Sequence, residues 1–128
     1  MNPAQVDFRS LPWVSIGPGA REKRSVQSNF VIRLLELSPP FVEEHWCVKE
    51  HIGYVLDGEC SIQFHDRTER LRTGDGIAVE GGSANAHKAI VQRAVLLFLV
   101  EPQSDGEQSG ERANWKWSGN ERGKFPPE

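Results

Sequence analysis

"HWCVKEHIGYVLDG", residues 45–58, puts two histidines and a cysteine within seven residues, then runs directly into a β-rich segment closed by Asp57-Gly58. On an extended chain residues 45 and 47 share parity, so His45 and Cys47 point to one face. His51 joins them if the intervening "VKE" inserts no bulge. A further donor, His87, follows the loop "EGGSANA" and opens the segment "HKAIV". Two histidines and a cysteine near one strand, with a histidine from a distant strand, is how a barrel builds a mononuclear metal site. Imidazole and thiolate together suit zinc or iron better than magnesium or calcium, which prefer oxygen ligands. A buried cysteine is equally ordinary core, and single histidines are often satisfied by hydrogen bonds. Residue types alone leave the metal reading open.

Outward from this stretch, turn signals recur at short intervals: "IGPGA" (16–20), "SPP" (38–40), "DGE" (57–59), "HDRTE" (65–69), "TGDG" (73–76) and "EGGSANA" (80–86). The segments between them, "NFVIRLLEL", "HIGYVL", "CSIQF", "RLR", "GIAVE" and "AVLLFLV", read as strands. In "ECSIQF", Cys60, Ile62 and Phe64 alternate with Glu59, Ser61 and Gln63, which gives that strand one buried face. No helical period of useful length is present. Many short strands at this spacing predict an all-β sandwich or barrel.

The chain has 128 residues, enough for one domain with a single core, and 38% hydrophobic with 26% charged residues is a soluble globular mix. A net charge of −3 offers no basic face to nucleic acid or anionic lipid. No run reaches the roughly 18 apolar residues of a membrane helix, and "MNPAQVDFRSLPWV" lacks a signal core, so the cytoplasm is the expected location. Cys47 and Cys60 are expected as reduced thiols, and Cys60 as core. The tail, residues 103–128, has no strand pattern; Trp115, Trp117 and Phe125 are read as pinning it to the barrel, with contact to a partner as the alternative. Glu43, Glu44 and Glu50 lie near the candidate ligands and are expected to face solvent, unless irregularity at "CVKE" brings Glu50 inward. Trp46, Tyr54 and an inward Glu50 are the candidate pocket residues, and His65 reads as a solvated turn residue.

The pattern resembles the cupins, small β-barrels of double-stranded β-helix or jelly-roll type, whose first motif is G-x5-H-x-H-x3,4-E-x6-G and second G-x5-P-x-G-x2-H-x3-N. His45-x-Cys47-x3-His51-x6-Gly58 reproduces the first spacing from its first histidine onward, and Gly74 and Gly82 keep the separation of the second, with His87 following. "REKRSV" with "FVIRLLELSPPF" resembles the two strands before the first motif, and "AVLLFLVEP" the closing strand, so the resemblance spans about residues 19–102 of a single domain. It implies metal ligands at His45, Cys47, His51 and His87, with Cys47 in place of a histidine and His51 in place of the glutamate. The ligand charge is unchanged but the anion has moved. The gap from Gly82 to His87 is two residues longer than the motif, Glu80 replaces its proline, and Val91 stands where asparagine is usual. Three outcomes stay open: a His3Cys site, a three-histidine site beside Cys47, and a metal-free cavity. The resemblance implies a divalent transition metal (zinc, iron, nickel or manganese) and a small organic ligand. It further implies dioxygenase- or isomerase-like chemistry, or simple ligand sensing. A homodimer is implied too, since cupins commonly pair through outer strands; "NFVIRLLEL" has more apolar residues than one buried face requires, an excess that a tail covering that face would equally explain.

Overall fold

The computed structural model describes residues 4–103; Trp115, Trp117 and Phe125 lie outside them. Eight strands form an all-β barrel: β1 (Val14–Gly17), β2 (Ala20–Val26), β3 (Phe30–Leu37), β4 (His51–Phe64), β5 (Thr68–Arg72), β6 (Gly76–Val79), β7 (His87–Ile90) and β8 (Val95–Pro102). All pairings are antiparallel. β1, β2, β3, β8 and β4 are neighbours in that order, β5 follows β4, and β6 and β7 also pair with β4. Among the described residues no helix is long and apolar enough to cross a membrane.

β4 organises the barrel. Its first half pairs with β8 and β6 and its second half with β5 and β7, so one 14-residue strand ties both sets of strands together. The sequence reading divides this segment at a turn, "DGE"; the structure has a bulge there instead. Val55 faces Leu97 but Asp57 faces Leu96, so Leu56 is an extra residue on β4. Inserting one residue inverts the alternation. His51 and Val55 are buried before the bulge and Cys60 after it, and both halves thereby serve one interior. Gly58, at φ +93°, closes the bulge, and a Cβ there would stand 2.3 Å from the Ala94 carbonyl oxygen. At Gly53 the β8 backbone approaches so closely that a Cβ would lie 1.9 Å from the Phe98 carbonyl oxygen.

The interior has two ends of different character. On β3 the inward residues are Val31, Arg33, Leu35 and Leu37, and on β8 they are Val95, Leu97, Leu99 and Glu101. Leu35, Leu37, Val55, Leu97 and Leu99 form the centre of the apolar core. Arg33 and Glu101 sit toward the opposite end, where β4 begins with His51. The outer face of the same strands is also apolar. Leu34 and Tyr54 flank Phe98 on adjacent strands, and Ile32 and Ile52 flank Val100. Phe8 packs edge-on against Phe98 at 6.4 Å, whereas Ile52 and Tyr54 stay 52% and 46% exposed.

Candidate metal centre

Cys47 precedes β4 and pairs by backbone with the first residue of β7. Its N–H donates to the His87 carbonyl at 2.8 Å, and the His87 N–H donates back at 3.0 Å. The sequence brings the two side chains together through this one bridge. His51 then enters from the start of β4. Cys47, His51 and His87 are all buried and offer ligand atoms lying within 4.8 Å of one another. The Cys47 Sγ is 3.5 Å from His51 Nε2, and the two imidazole rings meet edge-on at 5.0 Å.

Both imidazoles are oriented from behind. His51 Nδ1 donates to Glu101 Oε2 at 2.8 Å, which turns Nε2 toward the thiol. Glu101 is itself fully buried. Burial alone would raise its pKa, but the charge of Arg33 and the contact with His51 reverse that and hold it ionised, below the ordinary carboxylate range. Arg33, with no exposed surface, donates to Glu101 at 3.0 Å and to Glu22 at 2.7 Å. Removing one partner of such a buried network costs about 3–5 kcal/mol, because a charge is left uncompensated. A row of side chains from β2, β3 and β8 therefore converges on one histidine, in the manner of the carboxylates that orient metal-ligating imidazoles.

His87 Nδ1 donates to the Asn85 carbonyl at 3.0 Å, so this nitrogen carries the proton. Burial, then the neighbouring His51, push its pKa down to about 4, leaving a neutral ring at neutral pH. Its Nε2 is a buried lone pair with no hydrogen-bond partner among the described residues. An unsatisfied buried acceptor costs about 1–3 kcal/mol. Burial, and then the charge of Glu43, push the Cys47 thiol up, so a metal would bind by displacing its proton. Two imidazoles with Nε2 turned inward and a thiol at their side fit a borderline-soft divalent cation, and the set contains no carboxylate or carbonyl for a hard one.

Of the four ligands expected from the sequence, the structure gathers three. His45 is exposed and stands outside the cluster. The backbone from 44 to 46 leaves regular alternation, and the buried positions on this arm are Phe41, Glu43 and Cys47. Glu43, expected in solvent, is 5% exposed. Counting parity back from Cys47 identifies it, since 43 and 47 are both odd. Its Oε1 accepts from the Ala89 N–H at 2.6 Å, and Oε2 has no partner among the described residues. Burial raises its pKa to about 8 against the opposing Ala89 hydrogen bond. Glu50 is exposed, and Tyr54 lies on the outer face of β4. Trp46 is half-buried and meets His65 in a tilted ring contact at 4.3 Å, with Lys88 Nζ 4.9 Å from its ring centre. Cys47 and Cys60 are both free thiols.

Behind the cluster lies a cavity of about 30 Å³. Glu43, His51 and His87 contribute to its wall, and leucines, isoleucines and valines of the core make up most of the remainder.

Two of these groups set a pH dependence of folding in the metal-free protein. Glu43 keeps its proton in the folded state up to about pH 8, whereas its ordinary value is 4.5. Over that interval the folded state binds more protons, and stability falls as pH rises. His87, at about 4 against 6.5, does the reverse and makes stability rise from pH 4 to 6.5. Their slopes cancel up to pH 6.5, leaving Glu43 alone between 6.5 and 8. Urea unfolding is expected to show stability falling there by up to ~1.4 kcal/mol per pH unit. Glu43→Gln is expected to remove that slope; an unchanged slope in the variant would refute the assignment.

No family model matches the sequence, and no curated protein sequence matches it. Solved structures do. An RmlC-like cupin from Shewanella frigidimarina superimposes with a TM-score of 0.67 at 14% identity, over 84% of this chain and 96% of its own. KdgF from a Halomonas species gives 0.66 at 18% identity, over 81% and 97%. A sugar phosphate isomerase of the cupin superfamily from Silicibacter pomeroyi gives 0.62 at 17% identity, over 78% and 76%. At such identities the likeness is one of fold, and with the strand order and the doubly shared β4 it shows this chain to be a cupin-type β-barrel.

Proposed function

We propose that this barrel is a metal-dependent small-molecule enzyme, holding one divalent transition metal of the zinc type through Cys47, His51 and His87. The observation that carries the reading is the orientation of the two imidazoles. Each gives its Nδ1–H to a fixed acceptor, Glu101 or the Asn85 carbonyl, and the His87 Nε2 has no other use within the described residues. Three protein donors leave a coordination position open, as catalytic zinc sites do. A divalent metal there supplies Lewis acidity to a bound carbonyl. Isomerase-like chemistry of that kind suits the site better than oxygen chemistry, because a thiolate donor is itself open to oxidation. One structural relative is a sugar phosphate isomerase.

The chain's own residues divide the remaining work. Glu101 and Arg33 hold His51 in place, and the apolar wall excludes water. A cavity of about 30 Å³ admits only the reacting end of an organic molecule. The rest of it would extend beyond the cavity. The small cavity also favours a second reading, a sensor barrel with a structural metal and no turnover. Its mark would be a closed coordination shell with no exchangeable position.

Two further parts of the proposal concern the whole protein. Its reduced buried thiols fit a cytoplasmic setting. The apolar outer row of Ile52, Tyr54 and Phe98 fits a second copy of the chain packed sheet against sheet. Light scattering is expected to give about twice 14.4 kDa for the wild type and a monomer for Ile52→Lys. A monomeric wild type would remove the dimer.

Cobalt(II) titration of chelator-treated protein tests the metal reading. Uptake of one equivalent with a thiolate-to-cobalt charge-transfer band is expected, and Cys47→Ser is expected to lose the band. Glu101→Gln should weaken binding by about 10–100-fold, and His87→Ala by more. A wild type without the band would contradict thiolate ligation.

A further inference from the structure

Glu43 has a role that the three metal donors do not explain. Its Oε1 is fixed by the Ala89 N–H at 2.6 Å, which holds the carboxyl in one orientation. Ala89 is two residues beyond His87 on β7, so both face the same interior. The second oxygen, Oε2, is buried with no partner among the described residues, on a side chain only 5% exposed. Glu43 lines the same cavity as His51 and His87. It nevertheless stands outside the group whose ligand atoms all lie within 4.8 Å of one another. Apart from Glu43, His51, His87 and the Cys60 thiol, the wall of the cavity is apolar. A molecule in this space can find hydrogen-bonding side chains almost nowhere except on the site itself and on Glu43.

We propose that Glu43 Oε2 is the anchoring hydrogen-bond partner for a small polar molecule of two or three heavy atoms, or the reacting end of a larger one, held in the cavity that Glu43 shares with His51 and His87. The inference rests on the metal reading above and adds the residue that selects what binds beside the metal. Size sets the class of ligand. A cavity of about 30 Å³ has room for about two water-sized groups. With Oε1 taken by the Ala89 N–H, Oε2 is the oxygen left to meet a ligand. The protonated form that burial favours in the metal-free protein would donate from it to an anionic or carbonyl-like acceptor. The cost of leaving Oε2 unpaired is recovered only when such a molecule is present.

Azide, a three-atom anion, serves as the probe. It is titrated into cobalt(II)-loaded wild type, Glu43→Gln and Glu43→Leu, following the cobalt ligand-field bands. Glu43→Leu is expected to keep cobalt affinity within about threefold and to lose about tenfold or more in azide affinity, as for one hydrogen bond to a charged partner. Glu43→Gln, which keeps an amide donor in nearly the same place, is expected to hold azide within about threefold of wild type. Equal azide affinity in the leucine variant and wild type overturns the proposal. So does a loss of cobalt affinity in Glu43→Leu as large as that in His87→Ala, which would make Glu43 a metal ligand. If the leucine variant is unfolded, Glu43→Ala is measured and judged by the same outcomes. Failure of the wild type to take up cobalt at all is a different result: it removes the metal reading, and this proposal with it.

Discussion

Glu101 accepts from the Arg33 guanidinium at 3.0 Å and from His51 Nδ1 at 2.8 Å, and both contacts are buried. The arrangement around the candidate site follows from that one carboxylate. Arg33 occupies an inward position on β3 that an apolar residue would fill at less electrostatic cost, and it is tolerable there because Glu101 and Glu22 stand on the neighbouring strands. Buried ion networks of this kind are poor sources of net stability, and well-packed apolar residues often do as well. What this one provides is direction. It fixes which nitrogen of His51 carries its proton and which faces Cys47. The barrel's apolar end supplies the folding energy, and its charged end supplies the orientation.

The same strands are therefore read twice. β3 and β8 place leucines and valines inward at one end and Arg33 and Glu101 inward at the other, without breaking alternation. β4 does break it, through the extra residue Leu56. Without that bulge, His51 and Cys60 could not both face the interior of the barrel. The bulge is thus as much a condition of the candidate site as its donor side chains are, since the strand that delivers His51 is also the strand on which β7 presents His87.

Much of this was legible in the sequence, and the parts that were not share a cause. The strands and the all-β class follow from alternation, a local property, whereas the association of Cys47 and His51 with the distant His87 came from the resemblance to the cupin motifs. His45 leaves its expected place because residues 41–50 are not a regular strand, and an irregular backbone makes parity a weak guide there. The sequence reading placed Glu43 in solvent by giving it the parity opposite to the ligands', although 43 and 47 are both odd. Only the Ala89 N–H, 46 residues away, explains how it is held inside. Asp57-Gly58 resembles a turn because Gly at positive φ serves turns and bulges alike, and the difference lies in the partner strand. The Glu22–Arg33–Glu101 row carries no local signal, since its members meet only across strands.

The central claim is that one sulfur and two imidazole nitrogens converge on a single metal. X-ray absorption at the zinc edge of the stoichiometrically loaded protein tests it most directly. The account predicts a first shell with one sulfur at ~2.3 Å and two imidazole nitrogens at ~2.0–2.1 Å. A shell of nitrogen and oxygen alone, or a protein that takes up no zinc, would contradict it.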